Sequence, residues 1–390
     1  MKNINYLVGS ENITDAPLPV YSDEAVDFTA ELSRLLMKSP ALRMYPDISA
    51  LAFWCRKANI NKLKENCPEA DKRVGRGLCF HVAPGNIPIN FAFSYMFGLM
   101  AGCSNIVRLS SKNYPQIQPV CDAVNEALKN FPEIAARTAF VRYGHDDEIT
   151  AEFCAQADAR LIWGGDQTIA NVRSMPSNPR CIDICFADRY SICMIDGEAV
   201  LKADETAIAR LVENFYNDTY LMDQNACSSE QLMLWVNDSQ EAREKFWSSV
   251  EAYADKKYIL QPAVGVDKYT HMFEDILDGR PVKEINHNGN MLYRVELNKL
   301  EGDVTELRGK GGYFYEYSMQ SLDELAPFVT PKFQTLCYFG INPEEIRNYV
   351  VKNHLRGIDR IVPIGKAMDI GIMWDGFDLV RMLSRYVDVV

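Results

Sequence analysis

The feature that most constrains this chain is the alternation that begins at Gly75. Short apolar runs, GLCFHVA, NIVRLS, TAFVRY and RLIWGG, are separated by stretches with helical spacing: Pro88 to Ala101, a run after Pro115, one after Asp146 and one beginning near Asp166. Strand–helix repetition of this kind predicts a parallel, doubly wound sheet. In such sheets nucleotides bind at the carboxyl ends of the strands.

The flanks extend the reading. Ser22 can cap a helix with Val26, Leu32, Leu35 and Leu36 inward, and a second helical run extends from about Asp47 to Glu65. In the second half, QLMLWV (231–236), NMLYRVEL and QTLCYFGI read as strands, and Ser239 to Asp255 and Pro343 to His354 as helices. A helix over Glu205 to Asn217 leads into a domain change between Leu201 and Tyr220. The expected organisation is a leading helical segment (1–74), a Rossmann-like cofactor domain (75–215), a second doubly wound α/β domain (216–370) and a closing segment (371–390). That last stretch carries Trp374, Phe377, Leu379, Met382 and Leu383, so it is expected to dock on the body or on a partner subunit.

Composition narrows the functional classes. With 390 residues, 47% of them hydrophobic, the chain can bury a core large enough for two domains. A net charge of −12 works against nucleic acid as a partner, because phosphate affinity comes mainly from clustered Lys and Arg. The short basic groups Lys72/Arg73/Arg76 and Lys256/Lys257 read as solvated faces. Eleven cysteines with no C-x-x-C pair fit reduced thiols in a cytosol, with neither a disulfide framework nor a zinc site. The opening MKNINYLVGSENITD has too short an apolar run for a signal peptide, and Phe91 to Cys103 is well short of the roughly 20 residues that span a bilayer. A cytoplasmic location without a membrane span is the expectation.

Three segments carry chemistry. Cys227, in DQNACSSEQ, sits in a small polar stretch just before a strand, whereas Cys103, Cys121, Cys154, Cys185, Cys193 and Cys337 sit in apolar or helical patterns. A thiol attacks carbonyls only as thiolate, so the context of Cys227 has to help it. In FHVAPGNIPINFAF, Asn86 falls at a strand-to-helix junction, where a side-chain N–H can join a backbone N–H as an oxyanion hole; a turn or cap role is the alternative. In LIWGGDQTIANVR, Gly164 and Gly165 fall where a strand turns into a helix and backbone can approach a phosphate. The five histidines, His81, His145, His271, His287 and His354, show no paired spacing for a metal, and no metal is expected.

The order of these segments resembles the aldehyde dehydrogenase superfamily, and more closely its LuxC-type acyl-CoA reductase branch, the fatty-acid reductase component. The matching stretches are VAPGNIPINFAFS, SNIVRLSSKNYP, IWGGDQTI, DQNACSSEQ and RGIDRIVPIGKAMDIGIMWDGFDLVRMLSR, from about Gly75 to the carboxyl end. The resemblance implies an aldehyde-dehydrogenase-like fold, with Cys227 as nucleophile and Asn86 as oxyanion amide. Gly164 and Gly165 match the glycine turn under the cofactor, and Arg108, Ser110, Ser111 and Lys112 match the segment that holds the adenosine ribose. Many NAD-linked relatives end that segment with an acidic residue; Lys112 in its place points to NADPH, with NADH as the alternative.

Cys185, in CFADRY, stands where aldehyde-oxidising members carry a general-base glutamate. Its absence favours exchange with a thiol over hydrolysis, and so reduction of an acyl-CoA or other acyl thioester to an aldehyde. Glu316 is a further, weaker candidate for an acid. The competing enzyme readings are an acyl-phosphate or semialdehyde-type reductase and a CoA-acylating aldehyde dehydrogenase. From another class comes a weakly active scaffold subunit of a reductase complex. The resemblance also implies a homo-oligomer and an acyl-protein ligase as partner.

Overall fold

The computed structural model describes residues 4–67, 69–144 and 146–390. The chain divides into two compact units, one running from the amino-terminal region to Ala187 together with Ile370–Val390, the other Asp188–Asp369.

The first unit is built on a six-stranded sheet. Its strands lie in the order Asn5–Val8, Thr138–Arg142, Ser104–Arg108, Leu78–Val82, Ala159–Trp163 and Ile182–Phe186. All are parallel except Asn5–Val8, an edge strand antiparallel to Thr138–Arg142. The crossovers are the helices expected from the sequence, Asn90–Met100, Ile117–Leu128, Asp147–Gln156 and Asp166–Ser174. Every residue of Asn90–Met100 is buried, as befits a helix apolar on all sides. Asp146 starts the third crossover by accepting the Ile149 N–H at 3.1 Å, an N-cap.

Ser22 caps the leading helix Asp23–Lys38 by accepting the Ala25 N–H at 3.3 Å. The expected run from Asp47 to Glu65 is two helices, Pro46–Trp54 and Lys57–Glu65. The chain turns at Cys55–Arg56, where the Asn59 amide donates to the Trp54 carbonyl at 2.7 Å and so satisfies a helix-end acceptor. At the carboxyl end, Leu379, Val380 and Leu383 are buried in this unit's core. Ser384–Tyr386 pairs antiparallel with Arg73–Gly75, and the Arg76 Nε donates to the Met382 carbonyl at 2.7 Å.

The second unit holds a seven-stranded sheet in the order Val282–His287, Tyr293–Leu297, Tyr313–Ser318, Glu230–Val236, Tyr190–Asp196, Phe333–Phe339 and Arg360–Pro363. It is parallel apart from the edge strand Val282–His287. The division between units differs from the expected 215/216 boundary. Tyr190–Asp196 pairs on one side with Glu230–Val236 and on the other with Phe333–Phe339, so residues 188–215 belong with the cysteine-bearing unit. No helix among the described residues is long and apolar enough to cross a membrane.

Candidate active site

Cys227 lies on the loop between the helix Glu205–Asp218 and the strand Glu230–Val236. A turn of 3-10 helix, Tyr220–Met222, opens this loop, and Asp223 and Gln224 follow with φ of 52° and 59°. Left-handed backbone costs an L-residue roughly 1–2 kcal/mol, so two in succession need fixed partners. Gln224 supplies them from a buried side chain. Its Nε2 donates to the carbonyls of Glu230 and Tyr313, each at 3.0 Å, and its Oε1 accepts the N–H groups of Gly312 and Tyr313 at 3.2 Å. Its own carbonyl accepts from the Gln231 amide at 3.1 Å. Asp223 accepts the Gly311 N–H on its carbonyl and the Tyr258 hydroxyl on its carboxylate.

Closer to the thiol, the Ser191 hydroxyl donates to the Cys227 carbonyl at 2.6 Å and accepts the Thr335 N–H at 3.3 Å. The Ser229 hydroxyl donates to the Asp218 carbonyl at 2.7 Å, and the Ser228 hydroxyl contacts the Met368 sulfur at 3.4 Å. The main chain around residue 227 is therefore fixed from three sides, while Cys227 itself is half-buried. Seven cysteines of the chain are wholly enclosed with thiols pushed up by burial, Cys55, Cys79, Cys103, Cys121, Cys154, Cys193 and Cys337. Such thiols are poor nucleophiles.

In the first unit, Leu78–Val82 and Ala159–Trp163 lie side by side where the strand order reverses. This is where doubly wound sheets open a crevice at their carboxyl edge. The turn with Asn86 follows one strand, Gly164 and Gly165 the other. Gly165 is the N-cap of Asp166–Ser174, and among the described residues no side chain caps that helix. A Cβ at Gly165 would meet nothing within 4 Å, whereas one at Gly164 would press on Thr168 at 3.0 Å. Open N–H groups at an accessible helix start fit the diphosphate of a dinucleotide.

The structure also brings the Asn86 turn to the 109–117 loop. The Tyr114 hydroxyl donates to the Gly85 carbonyl at 2.9 Å, and Pro84, Ile87, Leu109, Ser110 and Tyr114 are among the residues lining a small pocket there. Asn86, Ser111 and Lys112 are exposed, and the Lys112 N–H donates to the Ser110 hydroxyl oxygen at 3.2 Å. Arg108 turns its guanidinium over the Tyr143 ring, 4.8 Å from its centre.

Three other candidates resolve differently. Glu316 is enclosed and accepts from the Trp235 and Trp247 indoles at 2.8 and 2.7 Å and from the Arg294 Nε at 2.8 Å. A carboxylate so occupied is a structural hub. Cys185 lies half-buried on the edge strand Ile182–Phe186, its thiol pushed up by burial. Of the histidines, His81 is enclosed between the Ser94 hydroxyl at 2.8 Å and the Asn105 amide oxygen at 3.0 Å, and burial lowers its pKa to about 4. His271 contacts the Tyr315 hydroxyl at 2.9 Å and His287 stacks on Tyr293; His145 lies outside the described residues. Sequence reasoning missed Gln224, Ser191 and the buried acids Asp218 and Glu230. Gln224 and Glu230 stand inside the cysteine motif itself, and their burial was the missing signal.

Comparison with known proteins decides the family. The acyl-CoA reductase (LuxC) family matches residues 53–272, more than half of the chain. The chain belongs to this LuxC family. A long-chain acyl-protein thioester reductase of Vibrio harveyi is 26% identical over 170 residues, which is 43% of this chain and 33% of that protein. The matched stretch thus spans only a third of that relative's length. Among solved structures, a 1-pyrroline-5-carboxylate dehydrogenase aligns over 94% of this chain and 81% of its own at 11% identity, with a TM-score of 0.62. An NAD-dependent benzaldehyde dehydrogenase from Corynebacterium glutamicum aligns over 94% and 85% at 11% identity, with a TM-score of 0.57. This LuxC-family chain therefore has the aldehyde-dehydrogenase-like α/β fold.

Proposed function

We propose that this protein reduces an acyl thioester, an acyl-CoA or an acyl group carried on a protein, to an aldehyde through a Cys227 acyl-enzyme. The observation that carries the reading is the fixed, half-buried Cys227 loop in a chain that belongs to an acyl-CoA reductase family. The Cys227 thiolate attacks the thioester carbonyl, a new carbon–sulfur bond forms, and the leaving thiolate departs and takes up a proton. Asn86 and the Cys227 N–H are the proposed oxyanion donors, the first by its place in the motif. A nicotinamide cofactor, when bound, would supply the hydride needed to bring the acyl group to the aldehyde level. The Cys227 sulfur then leaves the reduced carbon as thiolate, ready for another turn.

Gly164, Gly165, Arg108, Ser110, Ser111 and Lys112 are the residues proposed to hold that cofactor. A glutamate base has no counterpart at Cys185, whose half-buried, raised thiol is unsuited to activate water, and this supports release to a thiol over hydrolysis. A panel of acyl-CoA, acyl phosphate and free aldehyde, followed by cofactor absorbance and aldehyde detection, tests the assignment. Acyl-CoA turned over with aldehyde formed is the expected result; turnover of acyl phosphate alone would reassign the enzyme to the acyl-phosphate class.

Two substitutions probe the site further. Asn86→Ala lowers kcat by roughly 10²- to 10³-fold with little change in KM, because an oxyanion donor acts mainly in the transition state. Lys112→Glu shifts cofactor preference from NADPH toward NADH, since a carboxylate repels a 2′-phosphate and accepts from a ribose diol. Steady-state rates with both cofactors read this out; an unchanged ratio removes Lys112 from the cofactor site.

A further inference from the structure

Behind the Cys227 loop lies an enclosed cluster that the reaction does not use. Asp218 ends the helix before the loop, Glu230 begins the strand after it, and Cys337 joins them from Phe333–Phe339. All three are buried, Glu230 with no exposed surface at all, and a carboxylate oxygen from each acid and the Cys337 sulfur lie within 4.8 Å of one another. Asp218 is well provided with donors: its carboxylate accepts the N–H of Gly365 and, at 3.2 Å, that of Ala367. Glu230 is the opposite case: among the described residues no N–H or hydroxyl of another residue donates to either of its oxygens, and the side chains beside them are the Cys337 thiol and the Asp218 carboxylate.

An ionised carboxylate with so few donors, enclosed beside a second carboxylate, is among the costliest arrangements a core can hold. A single proton resolves it. On Glu230 it turns an orphan acceptor into a donor, and the acceptor within reach is the Asp218 carboxylate, already anchored by two amides. We propose that Glu230 is a neutral carboxylic acid sharing its proton with Asp218, and that this pair positions the loop bearing Cys227. The assignment rests on the reading of Cys227 as the nucleophile.

The surroundings agree. The groups that face the pair are the Cys193 and Cys337 thiols, with Arg360 and Asp369 acting on Asp218. Burial, and then the charge of Asp218, push the Glu230 carboxyl well above its usual range, and burial raises Asp218 to about 6. The pair is also wired to the loop. Ser229 binds the Asp218 carbonyl, Gln224 binds the Glu230 carbonyl, and the Asp218 carboxylate ties the 363–368 turn to both. Asp218 and Glu230 are thus positioning residues that act through the loop's main chain.

Infrared difference spectroscopy of the full-length protein at neutral pH, wild type against Glu230→Gln, reads the proton directly. The expected result is a protonated-carboxyl C=O band in the wild type that is lost in the variant. The rate at which iodoacetate modifies Cys227, followed by peptide mass spectrometry, reads positioning without substrate or cofactor. Glu230→Ala slows it about tenfold or more, as misplacement of a reacting group does, and Glu230→Gln, which keeps the shape and a donor, restores most of the rate. Three results would each overturn the proposal: no such band in the wild type, Glu230→Gln as slow as Glu230→Ala, or stoichiometric metal in the purified protein that fills the Asp218–Glu230–Cys337 cluster. The wild-type spectrum keeps the test valid even if the alanine variant does not fold. Because modification is scored at Cys227 whether or not it accepts acyl groups, failure here is distinct from failure of the acyl-enzyme reading.

Discussion

Replacing Cys227 by alanine lowers turnover by roughly four or more orders of magnitude while leaving the protein folded. A covalent mechanism has no second route once its nucleophile is gone, and losses of this size are what removal of an attacking side chain produces elsewhere. The loop keeps its shape because the contacts that hold it are made by Gln224, Ser191 and Ser229 and by the main chain at 227, all retained in the variant. Stability is expected to change by about 1 kcal/mol or less, since Cys227 is half-buried and its replacement by alanine removes a single heavy atom. Turnover of an acyl-CoA together with a denaturation midpoint checks both halves. A catalytically competent Cys227→Ala, or one that fails to fold, contradicts the assignment of this residue to chemistry alone.

Glu316→Ala gives the reverse pattern, a large loss of stability from a residue with no part in the reaction. The carboxylate satisfies two indole N–H groups and the Arg294 Nε, and Arg243 lies 4.0 Å away. Truncation leaves those donors enclosed and Arg294 without its closest counter-charge. Breaking a buried pair by removing one partner costs about 3–5 kcal/mol, a large part of the stability of a typical domain. Urea denaturation of the variant measures the effect. Were Glu316 instead an acid in the reaction, activity would collapse with the midpoint hardly moved.

The contrast between these residues shows what could be read from the sequence. Three of the four crossover helices of the first unit were legible from a cap or a preceding proline, as with Asp146 before Asp147–Gln156, while Asp166–Ser174 was marked by the glycine pair before it. Tyr190–Asp196 was not assigned as a strand, and with it the unit boundary was displaced to 215/216. YSICMID is a plain apolar run with no turn signal to say which sheet it joins; only its pairing with Glu230–Val236 and Phe333–Phe339 places it. Tyr313–Ser318 and the helix Pro262–Leu277 were likewise invisible, the first because tyrosines and a glutamate do not alternate like a half-buried strand.

At the candidate site, Cys227, Asn86 and the glycine pair stood out through their order along the chain, since a turn or cap role accounts for Asn86 taken alone. Gln224 and Glu230 stand in the same motif, yet nothing in their identity says that one is a fully bonded hub and the other an orphaned acid. That distinction depends on partners about 90 residues away, such as Tyr313, and 107 away, such as Cys337, which no local pattern encodes.

Intact-mass spectrometry after incubation with an acyl-CoA, in the absence of NADPH, tests the central claim most directly. The wild type should gain the mass of one acyl group, lose it when NADPH is added, and Cys227→Ala should gain none. An adduct of unchanged stoichiometry in Cys227→Ala would show that the acyl group is carried elsewhere.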